Sequence, residues 1–206
     1  MSFSTRLARA LIPAVVIALP VAAHAKASPD MALVKTHLQA TDSMTANFSQ
    51  TDSKGQVLSG TLQLKRPGRI RFDYGKTDIL VVADGKKLTF IDYDVGQKSS
   101  WDLNRTPLGV LLAANPDLDR IARILPSDDP RVVVVRAVDP SHNEYGKLIL
   151  AFIRDSAAPG GLKLYGWTAV DAQGKQTMVK LSNQRYNVAV PASAFTYAEP
   201  KKRGRN

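Results

Sequence analysis

The sequence contains no cysteine. A disulfide framework, a zinc ribbon and thiol chemistry are therefore excluded. Histidine is nearly as scarce, with three copies at His24, His37 and His142. No two of them fall at the spacing of a helical metal motif, so neither a metal site nor a cofactor is expected. A Gly-x-Ser-x-Gly elbow, a Walker loop and a glycine-rich turn feeding a helix are all missing. Asp92 and Asp94 follow Asp84-Gly85 in a pattern that turns use for their own backbone, rather than as a carboxylate pair. Hydrolase chemistry has nothing to stand on, and the chain reads as a non-enzyme.

Acids are in deficit, with 18 Asp+Glu against 28 Lys+Arg and a formal charge of +10. Such an excess raises the question of a nucleic-acid or polysaccharide partner. The distribution of the charge weakens that reading. Arg6 and Arg9 lie in a leader, and Lys201, Lys202, Arg203 and Arg205 lie in a short tail, which leaves the body near +4. No nucleic-acid partner is expected.

No apolar run reaches the roughly 20 residues that a membrane-spanning helix needs. The run that comes nearest, residues 10–23, is uncharged and interrupted by Pro13 and Pro20. Arg6 and Arg9 precede it, and Ala23-His24-Ala25 supplies small residues at −3 and −1 of a cleavage site. This is the layout of a secretory signal peptide over residues 1–25, cleaved after Ala25. It places the mature protein in the periplasm of a bacterium with two membranes. Residues 26–200 form one domain, and residues 201–206 form a basic tail.

Ser28-Pro29-Asp30 starts a helix, with Met31, Val34 and Leu38 at helical spacing. The period then changes to two. Ala46 and Phe48, then Leu58, Gly60, Leu62 and Leu64, then Ile70, Phe72 and Tyr74, alternate with polar residues. Residues 79–83 form a continuous apolar run, Asp84-Gly85 a hairpin signal, and residues 88–91 the return strand. Thr106-Pro107 opens a second helix carrying Leu108, Leu111 and Leu112, and residues 117–125 read as a third. Strands are expected at 131–138, 147–154, 163–170 and 176–186, with a last short one at 195–198. The pattern predicts a mainly β (α+β) fold. It is an incomplete antiparallel barrel, a curved sheet of about ten strands, with an N-terminal helix and a helical insert over its open side. A sandwich is the structural alternative.

The most informative stretch is Lys65-Arg66-Pro67-Gly68-Arg69-Ile70-Arg71-Phe72, four cations around a Pro-Gly turn between two strands. With other motifs in order, it resembles the LolA-type outer-membrane lipoprotein carriers. Ala46-Asn47-Phe48-Ser49-Gln50 is similar to an early A-x-F-x-Q strand. Residues 60–67 are similar to the G-x-L-x-x-K-R-P segment, and residues 80–88 to the I-L-V-x-D-G-x-x-L hairpin. Thr106-Pro107 matches the T-P that opens the lid helix, and Phe195-Thr196-Tyr197 the late F-T-F. Two departures stand out. Phe72 stands where Trp is common, and the extra loop and strand of longer members are replaced by the basic tail, which offers a possible contact with anionic lipid.

The resemblance implies a half-open barrel with a helical lid over an apolar cavity, acting as a periplasmic carrier of lipoproteins from inner to outer membrane. Its implied partners are outer-membrane-directed lipoproteins, a LolCDE-type releasing ABC transporter, and a LolB-type acceptor or the membrane itself. A monomer is expected. By the same resemblance Arg66 locks the lid. Leu62, Leu64, Ile70, Phe72, Leu80, Val82, Leu108, Leu111 and Leu112 are the candidate acyl-chain contacts. A lipid-binding or lipoprotein-sensing protein of the same fold is the alternative.

Overall fold

The computed structural model describes residues 28–75, 77–140 and 143–201, with only the backbone of Pro107, Val110, Leu111 and Asn143. The proposed signal peptide, His142 and the tail beyond Lys201 lie outside the described residues.

Helix α1 (Pro29–Ala40) starts where Pro occupies the first turn, and it buries Met31, Val34, His37 and Leu38. Six strands follow as a meander: β1 (Ser43–Thr51), β2 (Val57–Lys65), β3 (Arg69–Asp73), β4 (Ile79–Asp84), β5 (Lys87–Asp92) and β6 (Gln97–Asp102). A 3-10 turn (Leu103–Arg105), helix α2 (Pro107–Leu112) and helix α3 (Leu118–Ile121) come next. Strands β7 (Ala122–Leu125), β8 (Val132–Val138), β9 (Lys147–Arg154), β10 (Leu162–Val170) and β11 (Gln176–Tyr186) complete the sheet.

All eleven strands belong to one antiparallel sheet, in the order β6-β5-β4-β3-β2-β1-β11-β10-β9-β8-β7. The first strand sits in the middle because β11 returns to pair with β1. The two edges are β6 and β7, and the sheet curves without closing. The segment joining those edges is the one that holds α2 and α3, so it must cross the open side. Period-two alternation then makes the inner face apolar, with Met44, Ala46, Phe48, Leu62, Leu64, Ile70 and Phe72 buried in one cluster with Leu148, Leu164, Trp167 and Val179.

Turns follow the expected chemistry. The Asp84 carboxylate accepts from the backbone N–H of Lys86 and Lys87 at 2.8 Å. Asp92 does the same for Asp94 and Val95, so it serves its turn. The sheet has eleven strands, in keeping with the expected curved sheet of about ten. Two expectations are corrected. Only residues 118–121 of the third helix are helical, because residues 122–125 pair with β8 as an edge strand. Residues 195–198 form no strand; a 3-10 turn (Ala192–Phe195) leads into an irregular strap.

That strap lies on the outer face of β3–β5. Val190 and Phe195 bury themselves against Leu80, Val82 and Ile91. The cations of the Pro-Gly hairpin hold it. Arg69 sits 5.8 Å over the Phe195 ring, Arg71 Nη1 donates to Thr196 O at 3.2 Å, and Lys65 Nζ donates to Val190 O at 3.3 Å. Further along, Tyr93 donates to Ala198 O, and Lys98 pairs with Glu199.

Candidate functional site

Between the inner face and the insert lies a cavity of about 310 Å³. Its walls include Phe72, Val81, Leu88 and Phe90 from one half of the sheet, and Leu148, Trp167 and Val179 from the other. Thr106 and Leu108 of the insert complete it. Phe48 stacks edge-on against Phe72 and Tyr74, with ring centroids 5.3 and 5.0 Å apart, and Phe72 meets Trp167 at 6.0 Å. Polar groups on the lining are few. The Tyr74 hydroxyl donates to Gln50 Oε1 at 2.8 Å, and burial pushes its phenol up to about 12, so it stays neutral.

A bulge brings Trp167 inward. In β10 the pairing with β9 slips between Leu164 and Gly166, which leaves Tyr165 as the extra residue. A one-residue slip exchanges the faces of everything beyond it. Leu164 and Trp167, three apart, therefore both point into the core.

The insert is fastened at the C-terminal end of α2. Arg66 Nη1 donates to Ala113 O at 2.8 Å, and the Gly68 N–H donates to Leu112 O at 2.9 Å. Both acceptors are helix-end carbonyls without helical partners, which a cation complements. Gly68 reaches them with φ +74° while packed against Gly85, where a Cβ would meet the Gly85 backbone at 2.7 Å. Burial pushes the Arg66 guanidinium down to about 10, against the opposing charge of Asp42. At neutral pH it remains a cation. The α3 end is tied by Lys35–Asp119 at 2.6 Å and Arg120–Asp139 at 3.0 Å. At the other end of α2, Gly109 packs so closely that a Cβ would lie 2.6 Å from Leu103 O.

His37, on α1, is buried near enough to Arg66 to feel its charge. Its Nδ1–H donates to Pro159 O at 2.8 Å, and its ring packs edge-on against Phe152 and Tyr186. Desolvation lowers its pKa below the ordinary 6.5, with the Pro159 carbonyl opposing and the Arg66 charge adding to the shift.

The eight candidate acyl-chain contacts whose side chains are described divide three ways. Phe72 and Leu108 line the cavity itself. Leu62, Leu64, Ile70 and Leu112 are fully packed in the same inner cluster. Leu80 and Val82 point to the opposite face and are sealed under the strap, so they do not line the cavity. Their neighbour Val81 does. The Leu111 side chain lies outside what is described. Leu88, Phe90, Leu148, Trp167 and Val179 were not among the candidates. Register alone supplies Leu88 and Phe90, since Phe90 faces Val81 and Val81 faces Phe72. Trp167 requires knowing the bulge.

Among the described residues no group of His, Cys, Asp or Glu is arranged to hold a metal ion, and no helix is long and apolar enough to cross a membrane.

The family profile for outer membrane lipoprotein carrier protein LolA matches residues 39–198. A Chromobacterium violaceum protein named outer-membrane lipoprotein carrier protein is 28% identical over 200 residues, which is 93% of each chain. One of the same name from Legionella pneumophila strain Paris is 30% identical over 178 residues, covering 82% of this chain and 85% of its own. Among solved structures, a LolA superfamily protein from Nitrosomonas europaea aligns with 83% of this chain and 99% of its own, at 13% identity and a TM-score of 0.45. The chain belongs to the LolA family.

Proposed function

We propose that this protein is a periplasmic lipoprotein carrier. It holds the acyl chains of its cargo in the apolar cavity, under an insert that serves as a lid, and moves the cargo from the inner to the outer membrane. The observation that carries this reading is the cavity itself, apolar on the sheet side and roofed by a segment latched through Arg66 and Gly68. Its family membership and the names of its relatives support the cargo class. The mechanism is binding and release, with no bond made or broken by the protein.

Energy sets how such a carrier works. In this reading the lid rises to admit a long acyl chain. Burying about ten methylenes gains about 8 kcal/mol. One charged hydrogen bond at the latch contributes about 1.5–3 kcal/mol. An incoming chain therefore outweighs the latch, and the latch is still enough to favour closure when the cavity is empty. The attraction is non-directional, which suits cargo that shares only its lipid.

A releasing ABC transporter of the LolCDE type supplies the cargo in this reading. A LolB-type acceptor, or the outer membrane directly, receives it. The test uses inner-membrane vesicles bearing a labelled lipoprotein. The purified protein is expected to release the label with ATP as a soluble complex and pass it to outer membrane. If no label is released or passed on, the carrier reading is wrong. If free lipid but not lipoprotein co-purifies, the alternative of a different ligand on the same fold takes its place.

A further inference from the structure

The described part of the molecule exposes two large aromatic residues, Trp101 at 51% and Tyr165 at 43%. Tyr165 is the extra residue of the β10 bulge. Trp101 stands on the edge strand β6, directly opposite Leu88. Residues directly opposite in an antiparallel pair share a face. Leu88 lines the cavity, so Trp101 stands on the cavity side of the sheet, at its open margin.

The register extends this. From Trp101 the cross-strand row runs through Leu88, Ala83 and Ile70 to Leu64. The neighbouring row runs from Ser99 through Phe90, Val81 and Phe72 to Leu62. The first row passes from an exposed margin to full burial, from Trp101 at 51% to Ile70 at 0%, and the second from half-buried Ser99 to Leu62 at 1%. The chain leaves this margin at Asp102 and returns over the sheet, so that Thr106 and Leu108 roof the same cavity. An apolar track thus joins the outside of β6 to the interior, where Trp167 meets Phe72. A single exposed apolar residue needs no explanation. One that continues a cavity wall in register has a use.

We propose that Trp101 is the rim subsite of the cavity. The head-group end of a long acyl chain lies on the indole, and the chain runs inward over Leu88 and Phe90 until its methyl end reaches Trp167. This deepens the carrier reading and rests on it. The indole suits the position, because it offers a broad apolar face and an N–H able to reach polar atoms near the glycerol or carboxyl end.

The protein contains two tryptophans, so each is readable by fluorescence once the other is replaced. Trp167→Phe leaves Trp101 as reporter, and Trp101→Phe leaves Trp167. Stearate bearing a nitroxide near its carboxyl end, or near its methyl end, is titrated into each. Trp101 is expected to be quenched more by the carboxyl-end probe, and Trp167 more by the methyl-end probe. Trp101→Ser, at an exposed position that leaves the fold intact, is expected to weaken stearate binding about fivefold, with Trp101→Phe close to the parent. If Trp167 is quenched and Trp101 is not, or if Trp101 shows no preference between the probes, the rim subsite is refuted while lipid binding stands. If neither tryptophan is quenched, acyl-chain binding itself fails, and the rim subsite fails with it.

Discussion

Replacing Arg66 with leucine tests the latch at its single charged contact. The lost interaction is the 2.8 Å hydrogen bond from Arg66 Nη1 to Ala113 O. A hydrogen bond from a charged donor contributes about 1.5–3 kcal/mol. Burial of the guanidinium opposes it, since the same burial pushes Arg66 down to about 10. Leucine removes that cost and keeps part of the packing. It also leaves the Ala113 carbonyl without its partner, while the Gly68 N–H still holds Leu112 O at 2.9 Å. The net change favours lid opening by about 1–2 kcal/mol, a factor of about 5–30 in the open population. Hydrogen exchange reads this directly. The amides of α2 are expected to exchange faster by that factor, while those of β1 and β11 keep their protection. Arg66→Lys, which retains the charge but not the planar fork, is expected to fall between. Unchanged exchange in α2 of a folded Arg66→Leu protein would refute the latch and leave closure to Gly68 and apolar packing.

Other consequences follow from the same contacts. Because burial lowers the pKa of His37, the unfolded chain takes up a proton just below 6.5 while the folded one does not. Its contribution to stability is therefore complete above 6.5 and is lost as pH falls from there through the folded-state pKa. The urea midpoint is expected to drop between about pH 7.5 and pH 5.5, and His37→Gln to flatten that drop; an equal drop in the variant would assign it elsewhere. Phe195, buried against Leu80 and Val82 on the outer face, is expected to cost about 3–5 kcal/mol on truncation to alanine, read by thermal melting. Acyl-chain affinity should stay unchanged in that variant, and a loss would mean the strap shapes the cavity. Gly109→Val places a side chain against Leu103 O, where even a Cβ would lie at 2.6 Å. That lifts α2, and binding of an apolar fluorescent dye is expected to rise.

What the sequence shows and hides has a physical pattern. Strands with one wet face show their alternation in the sequence, so Leu62, Leu64, Ile70 and Phe72 group on one face of β2 and β3, and the structure buries all four in the inner cluster. The 79–83 run carries no such signal, because β4 is covered on both faces, by the cavity side and by the strap. Nothing in the run marks its parity, and Leu80 and Val82 lie on the opposite face from Val81. Residues 117–125 were ambiguous for another reason. Leu118, Ile121, Ile124 and Leu125 suit a helical stripe, and only pairing with β8 makes the second half a strand. The Pro-Gly hairpin was visible as a cluster of cations. Its division of labour was not. Lys65, Arg69 and Arg71 turn to the strap, because paired residues and alternate residues along a strand share a face, while Arg66, in the turn after β2, turns to the lid. Trp167 owes its place to a bulge that leaves no mark in residue type.

The central claim is that this cavity takes acyl chains. Calorimetric titration with a triacylated lipopeptide, beside the same peptide without its acyl chains, tests it most directly. The account predicts binding of the acylated form alone, with a large negative heat-capacity change from buried apolar surface. Equal binding of both peptides, or binding of neither, would contradict it.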